Sequence, residues 1–396
     1  MATNAINIED LRQRSRKRLP RAVFDFVDGG GEDEWSVREN RAAFERITFR
    51  PRVLVDVSER DQTTTVLGQK LAAPIVCAPT GMPGLLWPRG EIEAAKAAAK
   101  VGSIYTLATR ATCSIEEVAE AANGHVWFQV YVWQDREMTR QLVERAKAAG
   151  AKAMFLTVDV QVVSQRERDL RHGFTVPPRV TVRNALDTLR KIDWIRRVLV
   201  TGPKITDRNF LGLRHAAGGD DLVRLGGYVN SLYDSSVNWE DFRWFRSLWD
   251  GPLIVKGILT PEDARKAVDY GADGIVVSNH GGRQLDYCPA SIDVLPEIAD
   301  AVGNRVEILL DSGVRRGTDV VKALALGARA CMVGRPYLWG LGAAGQSGVE
   351  EALTILQKEV DRTLALIGRP TLADLDRTAI RLAGSSQAAY ESAPAH

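Results

Sequence analysis

The sequence predicts an α/β protein whose parallel strands close into a (β/α)8 TIM barrel, with an N-terminal helical segment and a long insertion after strand 4. From residue 73, short apolar runs rich in β-branched residues alternate with segments of helical periodicity, making eight strand–helix units. Polar side chains gather where these predicted strands end, which is where barrels carry their chemistry. An open doubly wound sheet is the alternative. It normally has a GxGxxG turn after its first strand, and this chain has Pro79-Thr80-Gly81 there.

Three short helices are expected before the barrel, at residues 8–14, 22–28 and 34–46. Pro20 opens the second helix, and the three glycines at 29–31 end it. The barrel is expected over about residues 73–368, within a single domain spanning 1–396. Its predicted strands are 73–78, 104–109, 126–132, 153–158, 253–256, 274–277, 306–310 and 328–333. Its predicted helices are 91–101, 115–122, 136–149, 239–249, 261–270, 292–301, 318–326 and 349–366.

The bulk composition is that of an ordinary globular protein. The 396 residues are 45% apolar and 26% charged, and the net charge of +2 argues against a nucleic-acid partner. No run of about 18 apolar residues predicts a membrane-spanning helix, and the first residues lack the apolar core of a secretory signal. The four cysteines are scattered, without a CxxC pair: Cys77, Cys113, Cys288 and Cys331. We therefore expect a cytoplasmic protein without disulfides or a metal site.

The segment SNHGGRQLD, residues 278–286, directly follows the predicted strand 274–277. His280 can take up a proton near neutral pH, and Arg283 can bind a carboxylate through two hydrogen bonds. A base and a cation three residues apart suit a small acidic substrate. Asp159, after the fourth strand, can hold His280 in one tautomer and stabilise its cationic form. The alternative is a capped turn with a solvated arginine.

The ends of the seventh and eighth strands predict an anion site. Gly313 and Gly334 permit close backbone approach, Arg315 and Arg335 add positive charge, and a helix follows directly. Barrels often bind phosphate at this place, so a phosphorylated cofactor or substrate is expected. Lys256 ends the apolar fifth strand and needs a negative partner. It suits either a Schiff-base nucleophile or a fixed cation beside a ring that becomes anionic on reduction.

Several of these motifs together resemble the FMN-dependent 2-hydroxy acid oxidases and dehydrogenases. They are SNHGGRQLD, DSGVRRG, the PTG turn, WFQVYV and LPRAVFDF followed by GGGEDEW, and the resemblance covers about residues 5–375. Within the family, GLLWPRGE, SQRERDL and NWEDFRWFRSLWD are most similar to mandelate dehydrogenases. The resemblance implies a barrel that holds FMN and oxidises an (S)-2-hydroxy acid to a 2-oxo acid.

The resemblance also implies roles for individual residues. His280 would be the base, with Asp159 assisting it. The substrate carboxylate would be bound by Arg166 and Arg283, with Tyr131 near the substrate hydroxyl. The flavin and its ribityl phosphate would be held by Pro79, Thr80, Gly81, Gln129, Thr157, Lys256, Asp311, Gly313, Arg315, Gly334 and Arg335. Whether hydrogen leaves as a hydride or as a proton first stays open.

The chain departs from the family at three positions, and a fourth position distinguishes subgroups within the family. Phe26 stands where the family has a tyrosine that helps bind the carboxylate, so weaker binding or a shifted substrate class is expected. Ala108 replaces a flavin-contacting serine, and alternation along the strand turns Thr109 to the other face. Arg110 replaces an apolar or aromatic residue and either admits a second polar or anionic substrate group or is an outward-facing loop residue. Gly81 is typical of the mandelate dehydrogenases, whereas oxidases include a larger alanine there.

Residues 160–238 are too long for an ordinary loop and are expected to form a lid or an interaction segment. They hold thirteen Lys or Arg against eight Asp or Glu. Within 180–215, apolar residues recur at helical spacing among arginines and lysines, so this part either contacts an anionic membrane surface or covers the barrel mouth or a subunit contact. The resemblance implies a homotetramer and a quinone, a cytochrome or O2 as electron acceptor. It leaves open a dehydrogenase, an oxidase producing H2O2 and a flavin-binding barrel with impaired catalysis.

Overall fold

The computed structural model describes residues 3–175, 179–213 and 222–382. The chain begins with three helices, α1 (Ile8–Arg18), α2 (Arg21–Asp28) and α3 (Trp35–Glu45). Strand β1 (Ile47–Phe49) then pairs antiparallel with the last described strand, β12 (Ile380–Leu382). Strands β2 (Thr64–Val66) and β3 (Gln69–Leu71) form a short hairpin. The three predicted N-terminal helices are confirmed, and the first runs four residues further than expected.

Eight parallel strands close into a barrel, which confirms the predicted fold class. They are β4 (Ile75–Cys77), β5 (Tyr105–Ala108), β6 (Val126–Val130), β7 (Met154–Thr157), β8 (Leu253–Ile258), β9 (Gly274–Val277), β10 (Glu307–Leu310) and β11 (Ala330–Val333). Each strand pairs with the next in the chain, and β11 returns to β4. Each predicted strand overlaps an observed one because buried parallel strands are nearly continuous apolar runs.

The outer layer consists of helices that cover the barrel. They are α4 (Gly90–Lys100), α5 (Ile115–Ala121), α6 (Arg136–Ala148), α11 (Trp239–Leu248), α12 (Pro261–Asp269), α13 (Ser291–Val302), α14 (Gly317–Ala325), α15 (Arg335–Ala344) and α16 (Gln346–Leu366). Side chains that point into the barrel form one apolar cluster, which includes Val76, Trp127, Phe155 and Met332. Those that point outward pack against the helices in a second, larger cluster. This is the layered core expected of a barrel.

Helix α15 was missed in the sequence, where the eighth unit was predicted as a single helix over 349–366. Residues 335–343 of α15 are all buried, so the helix lacks the polar face that makes a helical period visible. It also carries glycines where helices cross. A Cβ on Gly340 would lie 2.2 Å from the carbonyl oxygen of Gly348 at the start of α16. The predicted helix therefore corresponds to α16 alone.

The connection after β7 is mostly helical over its described residues. It contains α7 (Glu167–Arg171), α8 (Val182–Leu189), α9 (Ile192–Trp194), a π-helical turn (Ile195–Val200), a 3-10 turn (Arg208–Phe210) and α10 (Leu222–Ser231). Residues 176–178 and 214–221 of the predicted insertion lie outside the described residues. No helix in the described ranges is long and apolar enough to cross a membrane.

Candidate active site

A cavity of about 780 Å³ opens at the carboxyl ends of the barrel strands. It brings together every predicted site residue except Asp159, which lies behind His280. The predicted residues that line it are Phe26, Pro79, Thr80, Gly81, Ala108, Arg110, Gln129, Tyr131, Thr157, Arg166, Lys256, His280, Arg283, Asp311, Gly313, Arg315, Gly334 and Arg335. The barrel therefore places residues from all eight strand ends around one space.

One end of the cavity is strongly cationic. The Arg335 guanidinium donates to the carbonyl oxygens of Val27, Gly29 and Gly281, at 3.1, 2.7 and 2.9 Å. Arg315 lies 4.8 Å over the Trp339 ring. Burial lowers the pKa of Arg335 to about 10 and holds the pKa of Arg315 well below its ordinary value. Two buried guanidinium groups bonded to neutral carbonyls indicate a site for a multiply charged anion such as phosphate.

The backbone at this end is shaped for close approach. Gly313 has φ +94°, and a Cβ there would lie 2.2 Å from the carbonyl oxygen of Asn40 on α3. Arg41, also on α3, bonds the Gly313 carbonyl and forms an ion pair with Asp319 at 2.6 Å. Neither Asn40 nor Arg41 was singled out in the sequence, because both lie on a helix 270 or so residues before the strand they support.

The middle of the cavity carries polar groups that suit a flat heterocyclic ring. The Gln129 Nε2 and Thr157 Oγ1 atoms are buried without a hydrogen-bond partner. Lys256 Nζ lies 2.7 Å from Asp311 Oδ2 and 2.8 Å from Ser278 Oγ. An ammonium held in a buried ion pair is a fixed cation rather than a free amine nucleophile, which favours the second of the two roles predicted for Lys256.

Residue 108, at the end of strand β5 in the middle of the cavity, is an alanine and has no hydroxyl group. Ala108 lines the cavity, while Thr109 is fully buried and its Oγ1 donates to the Gln129 carbonyl at 2.6 Å. Thr109 therefore does not take the place of the serine that the family carries at 108. The Thr109 backbone N–H donates to Gln129 Oε1 at 3.4 Å, and Gln129 Nε2 has no hydrogen-bond partner among the described residues, so it can bind a ligand.

His280 and Asp159 form a pair at the cavity wall. His280 Nδ1 lies 3.0 Å from Asp159 Oδ1, which leaves the imidazole Nε2 to face a ligand. Burial raises the pKa of Asp159, but His280 and Lys256 outweigh it and hold that pKa below its ordinary value. Gly257 is what lets Asp159 come this close, because a Cβ at Gly257 would lie 2.7 Å from the Asp159 Cβ.

Two arginines at this side form no direct ion pair among the residues that the structure describes, although the Asp169 carboxylate acts on both of them at longer range. Arg283 Nη1 donates to the carbonyl oxygens of Phe26 and Gly29, at 2.7 and 3.0 Å, and its guanidinium lies 5.3 Å over the Phe26 ring. Arg166 has a buried Nε without a partner. Burial holds the pKa of Arg283 well below its ordinary value, and the nearby Arg166 adds to the effect. We refer to Arg166 and Arg283 as the open arginines.

Arg110 lies in the cavity wall, so it is not an outward-facing loop residue. Unlike the open arginines, it is paired with Asp207, and its Nη1 bonds Asn230. Tyr131 and Tyr233 pack edge to face at 5.4 Å next to it. Asp207, Asn230 and Tyr233 come from the long connection and were not singled out in the sequence. Phe174 and Asp169, from the same connection, also line the cavity and were missed.

The cavity therefore offers an anion site, a polar middle with a buried cation, and a base beside two open arginines. These features fit a phosphorylated flat cofactor next to a small carboxylic acid.

Comparisons with known proteins agree with this chemistry. Residues 15–382 match the family described as FMN-dependent dehydrogenase. The chain is 45% identical over 377 residues to glycolate oxidase 3 of Arabidopsis thaliana, covering 95% of each chain. It is 44% identical over 384 residues to L-lactate oxidase of a Nostoc strain, covering 96% of this chain and 99% of the relative. Among solved structures, it resembles one described as the monotopic membrane protein (S)-mandelate dehydrogenase, with a TM-score of 0.91, 40% identity, and 96% and 100% of the chains covered.

Proposed function

The chain belongs to the family of FMN-dependent dehydrogenases, and from that premise we propose that it oxidises an (S)-2-hydroxy acid, mandelate-like or lactate-like, to the 2-oxo acid. It is a flavin enzyme that acts on CH–OH donors, and its cofactor is FMN. The observation that carries the proposal is the His280–Asp159 pair beside two open arginines in one cavity. A barrel that only bound a flavin would have no use for that set.

The cavity supports a specific placement of FMN. Arg315, Arg335 and the backbone at Gly313 and Gly334 would hold the phosphate, with Asp311 near the ribityl chain. The flavin ring would lie against Pro79, Thr80, Gly81, Ala108, Gln129 and Thr157, with Lys256 as the cation beside it. When bound, FMN supplies the two-electron acceptor that no protein side chain provides.

The protein's own residues would bind the substrate and move its proton. Arg166 and Arg283 bind the carboxylate, which adds a second negative charge to that of Asp169 beside these two guanidinium groups. Burial keeps the pKa of Tyr131 well above its ordinary value, so its hydroxyl stays protonated and can donate near the substrate hydroxyl. His280 Nε2 takes a proton from the substrate, from the hydroxyl or from Cα, and Asp159 stabilises the imidazolium that results.

The electron acceptor is proposed to be a quinone or another carrier rather than O2. A Cβ at Gly81 would meet only the Arg110 carbonyl oxygen, at 3.5 Å, so the glycine leaves open space at the turn beside the proposed flavin. The alternative is an oxidase that reduces O2 to H2O2, and two of the relatives are named oxidases. Prompt return of the flavin colour on adding air to the reduced enzyme would support the oxidase, whereas a return that needs a quinone would support the dehydrogenase.

A membrane contact is proposed for the described part of residues 180–215. Seven large apolar side chains of this part are exposed: Val180, Val182, Leu186, Leu189, Ile192, Leu199 and Val200. Arginines and lysines lie among them, as on helices that rest in an anionic membrane surface. The solved relative described as monotopic shares this fold. Co-sedimentation with anionic lipid vesicles, before and after deletion of 180–213, tests the contact.

Anaerobic mixing with a panel of hydroxy acids tests the proposed reaction. The purified yellow enzyme should bleach with at least one acid of a panel made of achiral glycolate and the (S) enantiomers of lactate, mandelate and a larger 2-hydroxy acid. One 2-oxo acid should form per flavin. A holoenzyme that keeps its colour with every acid would contradict the proposal and favour the impaired flavin-binding barrel.

A further inference from the structure

Arg110 and Asp207 form a buried ion pair in the wall of the cavity. Arg110 Nε lies 3.2 Å from Asp207 Oδ1, and Nη2 lies 2.8 Å from Oδ2, so the pairing is bidentate. The Asp207 side chain is 0% exposed, whereas the Arg110 side chain keeps 20% exposure toward the cavity. Asn230 takes Arg110 Nη1, and Tyr233 also interacts with the guanidinium. We refer to Arg110, Asp207, Asn230 and Tyr233 as the Arg110 wall.

The Arg110 wall carries no net charge. Burial alone would lower the pKa of Arg110, but Asp207 raises it above its ordinary value, so the guanidinium stays charged beside the Asp207 carboxylate. Removing either partner would leave the other as an unpaired buried charge, and the free-energy cost of that state stabilises the pair. Arg110, Asn230 and Tyr233 line the cavity, whereas the Asp207 carboxylate that balances the guanidinium is fully buried and does not line it.

The open arginines differ in this respect. Arg166 and Arg283 form no direct ion pair in the described ranges, and Asp169, a carboxylate that acts on both of them, does so at longer range. One carboxylate against two guanidinium groups leaves a positive charge that a single substrate carboxylate can balance. Tyr131 interacts electrostatically with both Arg166 and Arg110, and its ring packs edge to face on Tyr233 of the Arg110 wall. A second carboxylate directed at the Arg110 wall would lose its hydration and face a guanidinium whose charge Asp207 already balances.

We propose that the Arg110 wall makes the enzyme select monocarboxylic 2-hydroxy acids whose side chain ends in an uncharged hydrogen-bond acceptor or an aromatic ring, and reject diacids. This inference rests on the proposed oxidation of 2-hydroxy acids and names the substrate class of that same site. The sequence led us to expect a substrate with a second polar or anionic group near Arg110. The pairing with Asp207 is compatible with a polar group there and disfavours an anionic one. An aromatic ring is accepted because a guanidinium and the edges of Tyr131 and Tyr233 both pack well on a π face.

Matched pairs of diacid and monoamide test the proposal on the holoenzyme. The probes are (S)-malate, (S)-2-hydroxyglutarate and (S)-4-carboxymandelate, each against the amide of its distal carboxyl group, with (S)-mandelate and lactate as references. Each pair has equal size and differs in one charge. At the length that reaches Arg110, the second-order rate constant of anaerobic flavin bleaching should be at least tenfold larger for the amide. Equal rates for acid and amide at all three lengths would overturn the proposal.

Asp207→Asn should then uncover the Arg110 charge and raise the acid-to-amide ratio at least tenfold. An unchanged ratio in a variant that keeps its flavin would count against the wall. If Asp207→Asn does not fold, the double variant Arg110→Met/Asp207→Leu replaces the pair by apolar side chains and should lose the preference for an amide over an alkyl group of equal size. A retained preference would overturn the proposal.

Two controls separate this inference from the reaction itself. Arg243→Gln, on the exposed face of α11, should leave every ratio unchanged. If no acid bleaches the flavin, mandelate and lactate included, the proposed oxidation fails. If mandelate bleaches it while acids and amides react alike, only the Arg110 wall is wrong.

Discussion

Arg110 and the open arginines lie in one cavity, yet they differ in whether their charge is available. Arg110 is bound by a carboxylate from the connection after β7, whereas Arg166 and Arg283 bond neutral atoms or none among the described residues. We expect this difference to decide which of them binds a substrate anion. Whether an arginine can bind a substrate anion therefore depends less on its presence in the cavity than on whether a protein carboxylate already pairs with it.

The largest expected effect comes from comparing two carboxylates: Asp159, which is paired with the base His280, and Asp207, which is paired with the permanent cation Arg110. Asp159 and Asp207 each support a basic group, but only His280 must change charge during the reaction. Asp159→Asn should slow flavin bleaching by about 10²- to 10⁴-fold, because the imidazolium loses its stabilising anion. Stopped-flow spectroscopy with one hydroxy acid measures this. Asp207→Asn serves as the matched control. An equal loss of rate in both variants would contradict the claim that Asp159 alone of the two stabilises a charge that forms during the reaction.

The same Asp159 carboxylate predicts a pH dependence. Its pKa is lowered in the folded protein, so it contributes stability that is present above about pH 4 and is lost as pH falls through the lowered pKa. The difference in unfolding free energy between the protein and Asp159→Asn should shrink as the pH falls below about 4. A difference that grows toward low pH would reverse the sign and contradict the assignment.

The next largest effect should come from an open arginine. Arg283→Met should lower the second-order rate constant for bleaching by about 10²- to 10³-fold, because the substrate carboxylate loses a charged and buried partner. Arg110→Met should change the rate with lactate much less, because lactate has no side chain that reaches the Arg110 wall. Comparable losses with lactate in the two variants would mean that both arginines bind the same carboxylate.

A smaller effect is expected at Phe26, which packs under Arg283 and stacks on Phe174 at 4.5 Å. Phe26→Tyr adds the hydroxyl that the family carries. One added hydrogen bond is worth about 0.5–1.5 kcal/mol, so KM for the preferred acid should fall by about two- to tenfold. Steady-state kinetics on several 2-hydroxy acids measure it, with Phe174→Tyr as the neighbouring control. An unchanged KM for every acid would show that the open arginines bind the carboxylate alone.

The sequence was informative wherever a pattern is local. The alternation of apolar strands and helices predicted the barrel, and the residues at strand ends predicted the cavity lining, because parallel strands present their carboxyl ends on one face. The buried helix α15 was missed because it has no polar face. Arg110 was correctly singled out as unusual, but its charge state was not predictable.

Long-range pairing explains that limit. Asp207 and Asn230 bond Arg110 although they lie 97 and 120 positions further along the chain. No sequence pattern near Arg110 predicts these contacts. Likewise Asn40 and Arg41 reach the anion end from a helix that precedes the barrel. Such contacts depend on how the connection and the N-terminal helices pack, which short-range periodicity does not encode.

The free energy of unfolding of two matched variants tests the central distinction most directly. With saturating FMN and no hydroxy acid, Arg110→Met should lower it by about 3–5 kcal/mol, because Asp207 is left as an unpaired buried charge. Arg283→Met should change it by less than about 1.5 kcal/mol, because only bonds to neutral carbonyls are lost along with a costly buried cation. Arg110→Met/Asp207→Leu should recover most of the first loss. Equal losses in the two single variants, or the larger loss at Arg283, would contradict the account.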